Sequence, residues 1–139
     1  MLVVNVAWDD VLARYGKHVG TAFQIMDDVL DYSGDSAAIG KNLGDDLAEG
    51  KMTLPLIRAL AVGNPAAGDT IRRAVEGGGR LVDFAPVMRI LEETGALGYA
   101  RDRAVDEGRK AVAALDGLPA SPHAQSLLQL ATFAADRAY

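Results

Sequence analysis

A single stretch, Asp9 to about Tyr32, limits most strongly what this chain can become. It contains no proline, Asp9 or Asp10 stands where a helix N-cap would, and its polar residues recur at Lys17, Thr21, Gln24, Asp28 and Asp31. Those steps of four, three, four and three residues draw one stripe along an α-helix. Val19, Ala22, Phe23, Ile25, Met26, Val29 and Leu30 fill most of the remaining circumference. A helix apolar on most of its surface is buried on most of it, so this one belongs inside a bundle with its stripe turned to solvent or to a polar cavity.

The rest of the sequence supports an all-α reading, a helical bundle within a single domain, 1–139. Ser33 to Gly44 carries three glycines and two serines without a regular period and reads as a loop. A second helix is expected from Asp45 to about Ala61, kinked or restarted at Pro55 because proline removes an N–H and clashes with the preceding turn. Gly63-Asn64-Pro65 closes it, and a short helix from Thr70 to Glu76 ends at Gly77-Gly78-Gly79. Asp83 then caps a helix burying Phe84, Val87, Met88 and Leu91, with Gly95 as its C-terminal glycine. Leu97 to Leu115 is helical by spacing, and Ser121-Pro122 opens a last helix as N-cap and first-turn proline. No alternating strand pattern or hairpin turn signal interrupts the series.

Charge and composition exclude several classes of function. With 14 Lys+Arg against 19 Asp+Glu the net charge is −5, which argues against a nucleic-acid or anionic-membrane surface. There is no cysteine, so disulfides, a thiol nucleophile and zinc-thiolate or iron–sulfur sites are excluded together, and a cytoplasmic setting fits. The run Leu54 to Val62 is broken by Pro55 and Arg58 and falls well short of the roughly 20 apolar residues of a spanning helix, so no transmembrane segment is expected.

Asp27, Asp28 and Asp31 lie mid-helix, where capping cannot explain them. The first and third are one turn apart and the second is offset by about 100°. Such neighbours repel by about 0.2–0.5 kcal/mol per pair in an isolated helix. Either solvent or a divalent cation relieves them. Oxygen-only donors suit Mg²⁺, which takes one or two carboxylates and completes its shell with water and phosphate oxygens. Downstream, Gly40-Lys41 and Gly44-Asp45-Asp46-Leu47-Ala48-Glu49-Gly50-Lys51 place two lysines near this face. They either neutralise a diphosphate or pair with Asp45, Asp46 or Glu49.

Taken together, Tyr15-Gly16, Ala22-Phe23-Gln24-Ile25-Met26-Asp27-Asp28-Val29-Leu30-Asp31-Tyr32, Gly40-Lys41 and Gly44-x-Asp46-Leu47-x-x-Gly50-Lys51-x-Thr53-Leu54-Pro55 closely resemble the second aspartate-rich region of trans-isoprenyl diphosphate synthases, the polyprenyl synthetase family. Gly95-Ala96-Leu97 and Ala135-Asp136-Arg137-Ala138-Tyr139 resemble the C-terminal region of its bacterial long-chain members, such as octaprenyl diphosphate synthases. The resemblance implies the C-terminal half of an isoprenoid-synthase-type fold and Mg²⁺-dependent condensation of an allylic diphosphate with isopentenyl diphosphate. It implies Asp27 as a direct metal ligand, Asp28 and Asp31 as ligands or holders of metal-bound water, Lys41 and Lys51 as diphosphate contacts, and Gln24 beside the diphosphate. Phe23 would shape the wall.

The family's first aspartate-rich motif has no counterpart here, since Asp9-Asp10 is followed by Val11-Leu12-Ala13. The expectation is therefore a chain without prenyltransferase activity on its own, forming a homo-oligomer, with Val19, Phe23 and Met26 as candidate contacts, or a complex with a longer synthase. A non-catalytic helical partner or regulatory subunit of a full-length synthase is the alternative, and a helical interaction module keeping the motif by descent is a third. His18 is expected at the boundary of the polar stripe and His123 in solvent, neither as a ligand.

Overall fold

The computed structural model describes residues 2–33, 43–78 and 81–136. Its elements are α1 (Leu2–Ser33), α2 (Asp45–Ala48), α3 (Leu54–Val62), α4 (Pro65–Glu76), α5 (Leu81–Glu93), α6 (Ala96–Ala114), a 3₁₀ turn (Leu115–Gly117) and α7 (Pro122–Ala135). No strand occurs among the described residues, so the all-α expectation holds. They group into two compact units, one of Met1–Met26 with Asp102–Ala138 and one of Asp27–Arg101.

In the first unit, Tyr15, Ala111, Leu115 and Ala131 form the core, with Val19, Val112, Leu127 and Leu128 packed against them. The Tyr15 hydroxyl donates to the Leu127 carbonyl at 2.7 Å, which satisfies the one polar atom of that aromatic. Gly108 lets α6 and α7 approach closely: a Cβ there would stand 2.5 Å from that of Ala135. Ser121 caps α7 by accepting from the Ala124 N–H at 3.0 Å, with Pro122 in the first turn, as the sequence indicates.

α1 begins at Leu2, so Asp9 and Asp10 lie inside it rather than capping it, and Asp10 pairs with Arg14 one turn on. Met26 is only 2% exposed and is packed into the interior, so it cannot serve as the surface contact expected of it; Phe23, at 45%, remains exposed. His18 binds Glu107 through Nδ1 at 2.6 Å, and Lys110 holds the other Glu107 oxygen at 2.9 Å. The hydrogen bond from His18 pulls the Glu107 carboxyl below its ordinary range, with Lys110 adding to the effect and burial opposing it. His123 is exposed.

The second unit packs α3, α4 and α5 against one another. Tyr32, Leu47, Leu56, Ala59, Ile71, Ala74, Val87, Ile90, Leu91 and Ala96 make up its core. The helix expected over Asp45–Ala61 is two helices. Gly50 adopts the left-handed conformation and ends the first, and Pro55 stands in the opening turn of the second, where its missing N–H costs nothing. α4 starts at Pro65 rather than Thr70, because Asn64 caps it by accepting from the Ala67 N–H at 2.8 Å. Asp83 lies within the first turn of α5 instead of preceding it, and Pro86 is accommodated inside that helix. Gly95, at φ 65°, ends α5 as expected.

Candidate functional site

The end of α1 and the turn around α2 carry most of the residues singled out by the motif. Asp27 and Asp28 are half-buried, within reach of solvent from the helix surface. Asp31 is only 4% exposed, and the chain uses it twice. Its carbonyl accepts from the Gly44 N–H at 2.9 Å, and its carboxylate Oδ2 accepts from the Asp46 N–H at 3.2 Å. Gln24 is exposed on α1, one turn before Asp28. Lys41, with Gly40, lies outside the described residues.

The glycines of the motif have physical reasons. Gly44 precedes α2 at φ 83°, and a Cβ on it would meet the Phe84 ring at 2.5 Å. Gly50 has φ 73° and follows the last turn of α2. Its N–H bonds the Leu47 carbonyl at 3.0 Å, and the Lys51 N–H bonds the Asp46 carbonyl at 2.8 Å. This pair of bonds across a left-handed glycine is a Schellman closure, and it turns the backbone so that Lys51 comes back toward Asp46. The Lys51 ammonium lies 2.6 Å from Glu49 Oε2 and 3.5 Å from Asp46 Oδ1. The hydrogen bond to Glu49, with the charge of Glu49 behind it, holds the lysine above its ordinary range. The surface-pairing reading of Lys51 therefore describes this structure; a diphosphate would have to take the ammonium from these carboxylates.

Beneath the turn sits Tyr32, 1% exposed, its ring stacked on Phe84 with centroids 6.4 Å apart and planes 5° from parallel. Burial raises its phenol pKa far above the ordinary value, and the charges of Asp31, Asp46 and Asp28 push the same way. Asp46 enters the sequence reading only as one of three acids that could pair with a lysine; the structure makes it also the partner of Asp31.

Among the described residues no three His, Asp or Glu side chains form a finished metal cage. The donor chemistry nevertheless fits Mg²⁺. Asp27 and Asp28 offer oxygens only, and this ion is held by one or two carboxylates while water and phosphate oxygens fill the other positions.

A polyprenyl synthetase family model matches residues 1–85. The chain belongs to the polyprenyl synthetase family. It is 48% identical over 133 residues to the octaprenyl diphosphate synthase of Haemophilus influenzae, covering 96% of this chain and 40% of that protein. With the octaprenyl diphosphate synthase of Escherichia coli the identity is 45% over 126 residues, covering 91% and 39%. A polyprenyl synthase from Caulobacter crescentus CB15, solved in complex with calcium and isoprenyl diphosphate, superimposes with a TM-score of 0.86 at 41% identity, covering 95% of this chain and 40% of that one. The chain thus spans about 40% of the length of the relatives it matches. No described helix is long and apolar enough to cross a membrane.

Proposed function

We propose that this chain supplies the second acidic face and a diphosphate-binding lysine of a trans-polyprenyl diphosphate synthase, an enzyme of isoprenoid biosynthesis that condenses isopentenyl diphosphate with an allylic diphosphate. The observation that carries the reading is the union of two sequence features in one piece of structure: the D-D-x-x-D face of α1 is hydrogen-bonded through Asp31 to the turn that carries Asp46 and Lys51. Asp27 and Asp28 would hold Mg²⁺, which when bound neutralises the departing diphosphate. Lys51, and Lys41 from the neighbouring segment, would balance the remaining phosphate charge, and Gln24 would hydrogen-bond beside it. Such preorganised positive charge is the physical basis for expelling the leaving group and forming the allylic cation. The double bond of isopentenyl diphosphate then attacks that cation, and proton loss yields the longer chain.

Two half-buried carboxylates cannot by themselves orient two diphosphates. The opposing ligands come, in this reading, from the part of a synthase that the chain does not span, in the same polypeptide or in a partner. The second reading is a non-catalytic partner bound to a complete synthase. Titration calorimetry with inorganic pyrophosphate in excess Mg²⁺ tests the first reading: binding is expected, and Asp27→Asn abolishes it. An assay with allylic diphosphate, labelled isopentenyl diphosphate and Mg²⁺ is expected to show no elongation by the purified chain alone. Robust elongation would overturn the need for outside ligands. If the chain instead co-purifies with a full-length octaprenyl diphosphate synthase and changes its rate, the partner role is the correct one.

A further inference from the structure

We infer that Asp31 is a positioning residue for Lys51, acting through Asp46, and that the third aspartate of the D-D-x-x-D face serves the lysine rather than the metal. The inference rests on the functional reading above and refines one part of it. Asp31 is nearly inaccessible, and one of its carboxylate oxygens is engaged by the Asp46 N–H at 3.2 Å while its carbonyl takes the Gly44 N–H at 2.9 Å. Two bonds from one residue therefore hold both ends of the Gly44–Asp46 segment on α1. The next link is Asp46 itself. Its carbonyl accepts the Lys51 N–H at 2.8 Å and its carboxylate Oδ1 faces the Lys51 ammonium at 3.5 Å, so the backbone of the lysine is referred to Asp46 and its head group is shared between Asp46 and the nearer Glu49 Oε2 at 2.6 Å.

The path Asp31 to Asp46 to Lys51 is continuous, and every link is a hydrogen bond or ion pair. Asp27 and Asp28 differ from Asp31 in being half-buried rather than enclosed, which leaves them the better placed of the three to meet an ion arriving from solvent. What the arrangement achieves is registration: a lysine on a flexible four-carbon stem is brought back toward the carboxylates of α1 from a position five residues beyond Asp46 and past the end of α2.

The test separates acceptor from charge. Asp31→Ala removes the acceptor, whereas Asp31→Asn keeps an oxygen that can take the Asp46 N–H and loses only the charge. In ¹H–¹⁵N and ¹H–¹³C spectra of the full chain, Asp31→Ala is expected to shift the amides of Asp46 and Lys51 and the Lys51 Cε–H resonances, and Asp31→Asn to restore them. In calorimetry with inorganic pyrophosphate and Mg²⁺, Asp31→Ala and Lys51→Ala are expected to weaken binding roughly tenfold, while Asp31→Asn stays within about twofold of the parent, because the hydrogen bond and not the charge is at stake. Should Asp31→Ala fail to fold, Asp46→Ala breaks only the second link, moving the Lys51 side-chain resonances while leaving the Gly44 amide in place. The inference is overturned if Asp31→Asn loses pyrophosphate binding as completely as Asp27→Asn, or if the Lys51 resonances do not respond to Asp31→Ala. If the parent chain binds no pyrophosphate, the functional reading falls, and the spectra alone still decide whether Asp31 positions Lys51.

Discussion

Replacing Gly44 by alanine loads the turn beneath Lys51 with two separable penalties. Its backbone, at φ 83° and ψ 15°, is left-handed, and an L-residue there costs about 1–2 kcal/mol. The new Cβ would also stand 2.5 and 2.6 Å from Cδ2 and Cε2 of Phe84, about 1 Å inside the carbon–carbon contact distance. Phe84 is half-buried with its ring stacked on Tyr32, so making room means shifting that ring and disturbing the stack. Overpacking of this kind adds about 1–3 kcal/mol, for a total of about 2–5 kcal/mol. Gly50 is the internal control. It is equally left-handed at φ 73°, but the nearest atom to its Cβ would be the Val75 carbonyl oxygen at 3.4 Å, so only the first penalty applies, about 1–2 kcal/mol. Guanidinium unfolding followed by far-UV circular dichroism reads both losses as midpoint shifts at constant slope. Gly44→Ala should lose clearly more than Gly50→Ala, and in a Phe84→Ala background its excess should vanish as a coupling of about 1 kcal/mol or more. Equal losses for the two glycines, or additivity with Phe84→Ala, would refute the steric argument.

Three further outcomes can be checked. Glu107 has its folded-state pKa lowered, so its contribution to stability is complete above the ordinary glutamate value of 4.5 and is lost as pH falls through and below it; Glu107→Gln should flatten the fall in thermal midpoint in that acid window and nowhere above it. Tyr15→Phe removes the 2.7 Å bond to the Leu127 carbonyl and should lower unfolding free energy by about 1 kcal/mol, as measured in denaturant. Gly108→Ala should destabilise by about 1–3 kcal/mol because its Cβ would collide with Ala135, whereas Gly98→Ala on the same helix, with open space around it, should stabilise by about 0.5–1 kcal/mol.

The sequence made the carboxylate face legible because helical periodicity alone fixes which of Gln24, Asp27, Asp28 and Asp31 are neighbours on α1. Gly44 and Gly50 enter the sequence reading only as members of the motif. Their reason emerged only with the backbone: one avoids the ring of Phe84, the other closes α2. Helix starts were harder. Asp9-Asp10 has the composition of a cap, but the residues before it contain no proline or glycine to stop a helix, and the same two acids are tolerated inside α1 with Arg14 as partner to Asp10. Asn64 was read as the end of one helix, while its side chain begins the next. The bond from the Asp46 N–H to Asp31 and the His18–Glu107 pair were invisible for a different reason. Each depends on contacts between segments distant in sequence, 15 and 89 residues apart, and no local pattern encodes a partner at that separation.

The bond from the Gly44 N–H to the Asp31 carbonyl has a consequence for how this region can vary between related chains. It fastens the two ends of the connecting residues, so the geometry of Asp31, Asp46 and Lys51 is set at the clasp and not by what runs between. Closing a connection of twice the length costs only about 0.6 kcal/mol of additional chain entropy. Insertions and deletions between Ser33 and Leu43 are therefore thermodynamically cheap. Any change to the clasp itself, by contrast, is paid for at Lys51.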